Sequence, residues 1–292
     1  MSPKRHGEQP SPLEHLRGAE DPATRRGIAV DLVERSHDLE VLRAALAVLA
    51  GEQDPTLRPM LHRKYAWCES SPTRRDWSGF IRAGIVRALH PIVSLDDEAL
   101  LIRAMTTYQM QGMYELCAEL RTAALLAMND LDPGTAALFA ARFLTDPLTS
   151  FSGEPALTAM RVLAIQQRLE PVFALASWQE GSGQVVGEAL RTLVDLRPEL
   201  VDLLIERHRD VEEPQVQIGL LDLLLNHRER PRWHDTILER VVTASDLDVY
   251  QISVTSVVAS RDEHLIRVLR SLVDDERDVR RRDILQHALE LA

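Results

Sequence analysis

Two stretches of the chain bring cations and aromatic rings together densely enough to bind something. The first runs through His62, Arg63, Lys64, Tyr65 and Trp67 and resumes at Arg74, Arg75 and Trp77. Guanidinium and ammonium groups hold phosphates or carboxylates, while flat rings stack on a base or anchor a protein partner. The second gathers His227, Arg228, Arg230, Arg232, Trp233 and His234 around Pro231. Each stretch also has a purely architectural reading. Tyr65 and Trp67 can fill an irregular junction between helices, and Arg228 and Arg230 can complement the dipole at a helix end.

Other chemistries lack their residues. The ten histidines are scattered, with no HExxH, and none is paired with cysteine at ligand spacing, so no metal is expected. Gly181-Ser182-Gly183 has no strand–turn–helix setting for a nucleophile, and no GxxxxGK[ST] cradles a phosphate. No catalytic residue and no cofactor are expected. Cys68 and Cys117 stand far apart, outside any CxxC pair, which argues against a disulfide framework. The acidic runs Asp96-Asp97-Glu98, Glu212-Glu213 and Asp274-Asp275-Glu276 are read as helix starts, where carboxylates accept free amides and meet the positive end of the dipole.

The elements that must position these residues are short amphipathic helices, restarted roughly every thirty residues by an acidic residue, a proline or a small polar cluster. Asp21-Pro22, Asp54-Pro55, Glu154-Pro155, Gly183-Gln184, Glu213-Pro214 and Leu247-Asp248 each open a unit. Proline suits the first turn of a helix, and a preceding Asp caps its free amides. Ile218, Leu221, Leu224 and Leu225 keep to one face of a helix. Val249–Val258 favours strand by propensity, but the phase of the repeat predicts a helix. A helix is predicted over 112–129, and glycines such as Gly51 and Gly112 are read as boundaries. Residues 1–11 are expected to be a disordered leader, and 12–292 one domain, irregular at 51–93, where the repeat slips and the first basic–aromatic stretch lies.

The resulting fold class is all-α. Asp21-Pro22 with Arg25, Ala29 and Leu32, and Asp275 with Val279-Arg280, Ile284 and Leu289, resemble the first-helix pattern of HEAT and HEAT-like (phycobilisome-lyase type) repeats. Glu213-Pro214 with Val216-Gln217 keeps the outline with Gln in place of Arg. The resemblance covers roughly residues 22–290 and implies an α-solenoid of stacked antiparallel helical hairpins. It names no activity, because such a fold hosts many. Some HEAT-like proteins are DNA glycosylases, and Trp67, Arg74, Arg75, Asp76 and Trp77 have residue types that such a site uses. The phycobilisome-lyase side of the resemblance implies a chromophore-lyase-like subunit as a further alternative.

Composition weighs between these. A net charge of −11 opposes binding to nucleic acid or to an anionic membrane surface. Lys4 and Lys64 are the only lysines, so nearly all positive charge is arginine. No apolar run is long enough to span a bilayer, and the first residues lack the apolar core of a signal peptide. The expectation is a non-catalytic cytoplasmic scaffold or adaptor, with another protein as partner ahead of nucleic acid.

Overall fold

The computed structural model describes residues 11–146, 148, 152–178 and 182–290. The leader expected at 1–11 lies outside this range except for Ser11, and so do parts of the loops expected at 146–153 and 179–183. Among the described residues the fold is all-α, with eighteen α-helices and one two-stranded ribbon. No helix among the described residues is long and apolar enough to cross a membrane. The chain forms two compact units, Met1–Val162 and Leu163–Ala292, and the boundary falls within the tenth helix.

The first unit contains α1 (Pro12–Gly18), α2 (Pro22–Arg35), α3 (Leu39–Leu49), α4 (Arg58–Glu69), the short α5 (Pro72–Arg75), α6 (Phe80–Leu89) and α7 (Glu98–Met105). The ribbon β1 (Met110–Gln111) and β2 (Tyr114–Glu115) follows, then α8 (Ala118–Leu131), α9 (Pro133–Leu144) and the start of α10 (Ala156–Ile165). Helix starts obey the expected chemistry. Asp21 accepts from the Thr24 amide at 2.8 Å, Asp38 from those of Glu40 and Val41, and Asp132 from those of Gly134 and Thr135. Leu42, Leu46, Leu61, Ile85, Leu89, Leu101 and Phe143 form the fully buried interior.

Polar bridges between successive turns of the chain measure its stride. Arg26 reaches Asp54, Arg63 reaches Glu34, and Lys64 reaches the Glu34 carbonyl, separations of 28, 29 and 30 residues. The stride then lengthens. Arg58 to Asp97 spans 39 residues, across the short α5 and the loop after it, and His90 to Asp130 spans 40, across the ribbon. The extra chain between α7 and α8 is the ribbon, which replaces the first turns of the helix expected over 112–129. Gly112 takes a left-handed φ of 61°, so it turns a hairpin where a helix boundary is expected. Met110 pairs with Glu115 and Gln111 with Tyr114.

The second unit contains α11 (Glu170–Trp178), α12 (Gly183–Thr192), α13 (Pro198–Arg207), α14 (Pro214–Asn226), α15 (His234–Thr243), α16 (Leu247–Ala259), α17 (Glu263–Asp275) and α18 (Val279–Leu289). Here the stride holds as far as α17, and Arg281 of α18 reaches farther, 37 to 40 residues back to the carbonyls of Val241, Val242 and Ala244. Arg232 to Asp202, Arg191 to Asp222, His208 to the Ala176 carbonyl and His234 to Asp262 span 30, 31, 32 and 28 residues. Helix α12 packs on α14, α14 on α16, and α16 on α18. The first of these contacts is close enough to require glycine. A Cβ on Gly219 would lie 2.3 Å from the Gly187 carbonyl oxygen, and one on Gly187 would lie 2.3 Å from that of Gln215.

Val249–Val258 is helical, as expected, with Val249, Val254, Val257 and Val258 buried. One acidic run is placed differently from expectation. Asp274 and Asp275 end α17 rather than opening a helix, and Asp278 caps α18 through the amides of Arg280 and Arg281. The run falls a turn early because the loop between these helices is short, and Glu276 instead accepts from the Asp278 amide at 2.9 Å.

Candidate interaction surface

The first basic–aromatic stretch divides between interior and surface. Tyr65, on the inner face of α4, is fully buried, and its hydroxyl has no hydrogen-bond partner. Burial raises its pKa, so the phenol stays protonated. Lys64 is buried too, and its Nζ donates to the carbonyls of Glu34 and Ser36 at 3.3 and 3.1 Å, closing the C-terminal end of α2. Desolvation lowers its pKa. Trp67 is half-buried, with Lys64 at 4.9 Å and Arg75 at 4.7 Å from its ring centroid and His37 packed at 5.1 Å. That ring is already in contact on several sides and is a poor platform for a base. Arg75 also donates to the Trp67 carbonyl. Arg63 pairs with Glu34 in solvent, leaving Arg74 and Trp77 as the exposed members.

The second stretch is largely absorbed by bridges between helical hairpins. Trp233 is buried, donates from Nε1 to Asp202 at 2.7 Å and meets His227 edge-on. Arg232 pairs with Asp202, while Arg230 and His234 converge on Asp262 at 2.9 and 3.1 Å. Arg228 is exposed. Asp262 itself caps α17, so one carboxylate ties two hairpins together and starts a helix.

A surface feature absent from the sequence reading lies beside Trp77. The ribbon 108–117 projects Met110, Met113 and Tyr114, with Met113 89% exposed at its turn. Its base is held by charge. Glu115 accepts from the amides of Gln109 and Cys117 at 3.2 and 2.7 Å, and its second oxygen lies 2.8 Å from Nη2 of Arg121. Both side chains of this pair are sealed from solvent. Arg121 also donates to the Thr107 carbonyl and lies 4.1 Å from the Tyr108 ring centroid, while the Tyr108 hydroxyl donates to Asp146 at 2.6 Å.

The loop carrying Trp77 abuts this base. Asp76, buried, caps α6 through the amides of Ile81 and Arg82 and pairs with the Arg82 guanidinium at 2.7 Å. Arg82 in turn reaches Gln109 at 3.4 Å and Cys117 Sγ at 3.9 Å, one on each foot of the ribbon. Gly79 has φ 72°, and a Cβ there would stand 2.9 Å from Cys117 Sγ. Trp77, 46% exposed, and Phe80, half covered by Arg43, therefore emerge next to the ribbon. Two buried ion pairs brace this apolar rim from below.

No family model, no curated protein and no solved structure shows significant similarity to the chain. The chemistry of the site therefore rests on its own residues. Burial pushes the Cys117 thiol up to about 11 and the Cys68 thiol up to about 12. Neither is ionised near neutral pH, so neither is an activated nucleophile. Among the described residues no three His, Cys, Asp or Glu side chains converge as a metal site.

The sequence signal for this surface was partial. Trp77 stands in the first basic–aromatic stretch, but Met110, Met113 and Tyr114 lie in strands of two residues, too short for an alternating pattern to register. Met-Gln-Gly-Met was the available clue, since glycine at a left-handed position marks a tight turn.

Proposed function

We propose that the chain is a non-catalytic HEAT-like helical-repeat scaffold, and that it engages a partner protein through the ribbon tip and the adjoining Trp77–Phe80 edge. The observation that carries this reading is Met113, 89% exposed beside Met110 and Tyr114 on a ribbon whose base is a sealed ion pair. Removing either partner of a sealed ion pair is costly, so the pair fixes the ribbon base, and the element it fixes presents apolar side chains to solvent. Methionine and tyrosine suit such a contact. Thioether chains adapt to a partner's surface, and tyrosine contributes area with few rotamers to freeze. The repeat reading is supported by bridges 28 to 32 residues apart, the length of one helical hairpin.

The test places a photo-crosslinking amino acid at Met113 and, as control, at exposed Glu40. The expected result is one discrete adduct from Met113 that Glu40 does not give and that the double substitution Met110→Ser/Tyr114→Ser removes without lowering the melting temperature. Equal, diffuse labelling from both positions would remove the reading.

A further inference from the structure

A cleft of about 780 Å³ opens in the second unit between α16, α17 and the end of α18. Its floor is aliphatic, made by Val258 and Ala288, both buried, and Ile266. Its rim carries Arg261, Arg267 and Arg270. Some arginines of this unit are paired within the fold, Arg230 with Asp262, Arg232 with Asp202 and Arg281 with Glu276, and others, such as Arg228 and Arg277, stand singly; the cleft differs in gathering three on one rim. The guanidinium groups of Arg261, Arg267 and Arg270 have no hydrogen bond or ion pair among the described residues. Glu263 precedes Arg267 by one helical turn, the favourable order for a pair, yet the pair is open.

Arg261 adds a second argument. It follows the last turn of α16 with φ 54°, a left-handed position at which glycine carries no steric penalty. An arginine there is less stable for the fold and gains no partner within it, so its use lies outside the fold.

We infer that this cleft binds an acidic, leucine-type peptide segment of another protein. Aliphatic side chains would fill the floor, and carboxylates would meet the three arginines. An extended ligand fits better than a single small anion, because the depression continues past Thr255 toward Ile284 and Asp283 on one side and Ile252 and Asp248 on the other. The acidic residues of the peptide belong at the arginine rim and its aliphatic residues over the isoleucines. A peptide fits better than a nucleic acid. No aromatic ring lines the cleft for base stacking, and its aliphatic floor of Val258, Ile266 and Ala288 suits leucine side chains rather than a sugar-phosphate backbone. This site shares no residue with the ribbon surface and stands or falls independently of it.

The experiment measures fluorescence anisotropy of three labelled probes at low salt: a peptide of Glu, Asp and Leu, the same peptide with Lys for each acid, and a single-stranded oligonucleotide. The acidic peptide alone is expected to bind, weakening with added salt and by about tenfold in R267A/R270A, the scale of two partly exposed ion pairs. Ile266→Ser is expected to weaken it at any salt concentration. Circular dichroism and melting of the surface variant should match the parent. Failure of the acidic peptide to bind, equal binding by R267A/R270A, or tighter binding of the oligonucleotide would overturn the inference. Self-association in sedimentation that R267A/R270A abolishes would also overturn it, by assigning the cleft to a second copy.

Discussion

Where α12 meets α14, the closest atoms are backbone, with Gly187 and Gly219 leaving no room for a methyl group. Where α6 meets α8, the interface holds Arg82, Asp76 and the thiol of Cys117, with the Glu115–Arg121 pair sealed at the ribbon base. The first arrangement belongs to a stretch whose bridges keep a stride of 28 to 32 residues, and the second to one whose stride reaches 40. A regular stride lets neighbouring helices meet at their backbones, so dispersion and burial suffice. An inserted ribbon separates consecutive helices and exposes its own backbone ends. Those amides and carbonyls must be satisfied inside the protein, and charged side chains long enough to reach them become part of the interior.

Breaking each interface tests that contrast. Glu115→Ala strands Arg121 in a sealed site, and urea unfolding should show a loss of about 3–5 kcal/mol; a loss under about 1 kcal/mol would mean water reaches the pair. Gly219→Ala should cost about 1–3 kcal/mol by overpacking, although alanine favours an isolated helix by about 1 kcal/mol. A neutral or stabilising G219A would refute backbone contact between α12 and α14.

The capping chemistry is common to both regions. Asp38→Ala in α3 and Asp246→Ala in α16 should each cost about 1 kcal/mol, since each carboxylate accepts from two amides. Unequal costs would show that one helix start is held by packing instead.

The smallest effect concerns His208, buried in the regular stretch, its Nε2 against the Ala176 carbonyl and its Nδ1 without a partner. Burial lowers its pKa below the unfolded value of 6.5, so the native state favours the neutral ring. Its contribution is complete above that value and declines as pH falls toward the lower native pKa. His208→Gln should therefore flatten the loss of stability between about pH 6.5 and pH 5. A slope unchanged from the parent would place the titration elsewhere.

Much of this contrast was legible in the sequence. Asp21-Pro22 and Asp54-Pro55 announce helix starts because capping is local chemistry, Leu247-Asp248 marks a start one residue past its cap Asp246, and Val249–Val258 is helical because its stripe packs against neighbours. The slip of the repeat at 51–93 was visible and corresponds to the added short helix Pro72–Arg75 and its flanking loops, but the ribbon that follows was not. Glu115 and Arg121 stand six residues apart, a spacing with no meaning on a helix, and they meet only because a turn at Gly112 brings the chain back. The fates of Tyr65, Lys64 and Trp233 were equally hidden, since burial depends on partners about thirty residues away. Arg261 looks like any surface arginine until its backbone angle is known.

The ribbon also gives the molecule a built-in chemical reporter. Met60, Met105, Met128 and Met160 are buried, whereas Met110 and Met113 stand in solvent. Among the described methionines, dilute peroxide therefore reaches the two ribbon sulfurs first, and each sulfoxide turns an apolar contact into a polar one. Peptide masses before and after oxidation read out whether that surface is covered, and methionine sulfoxide reductase restores it.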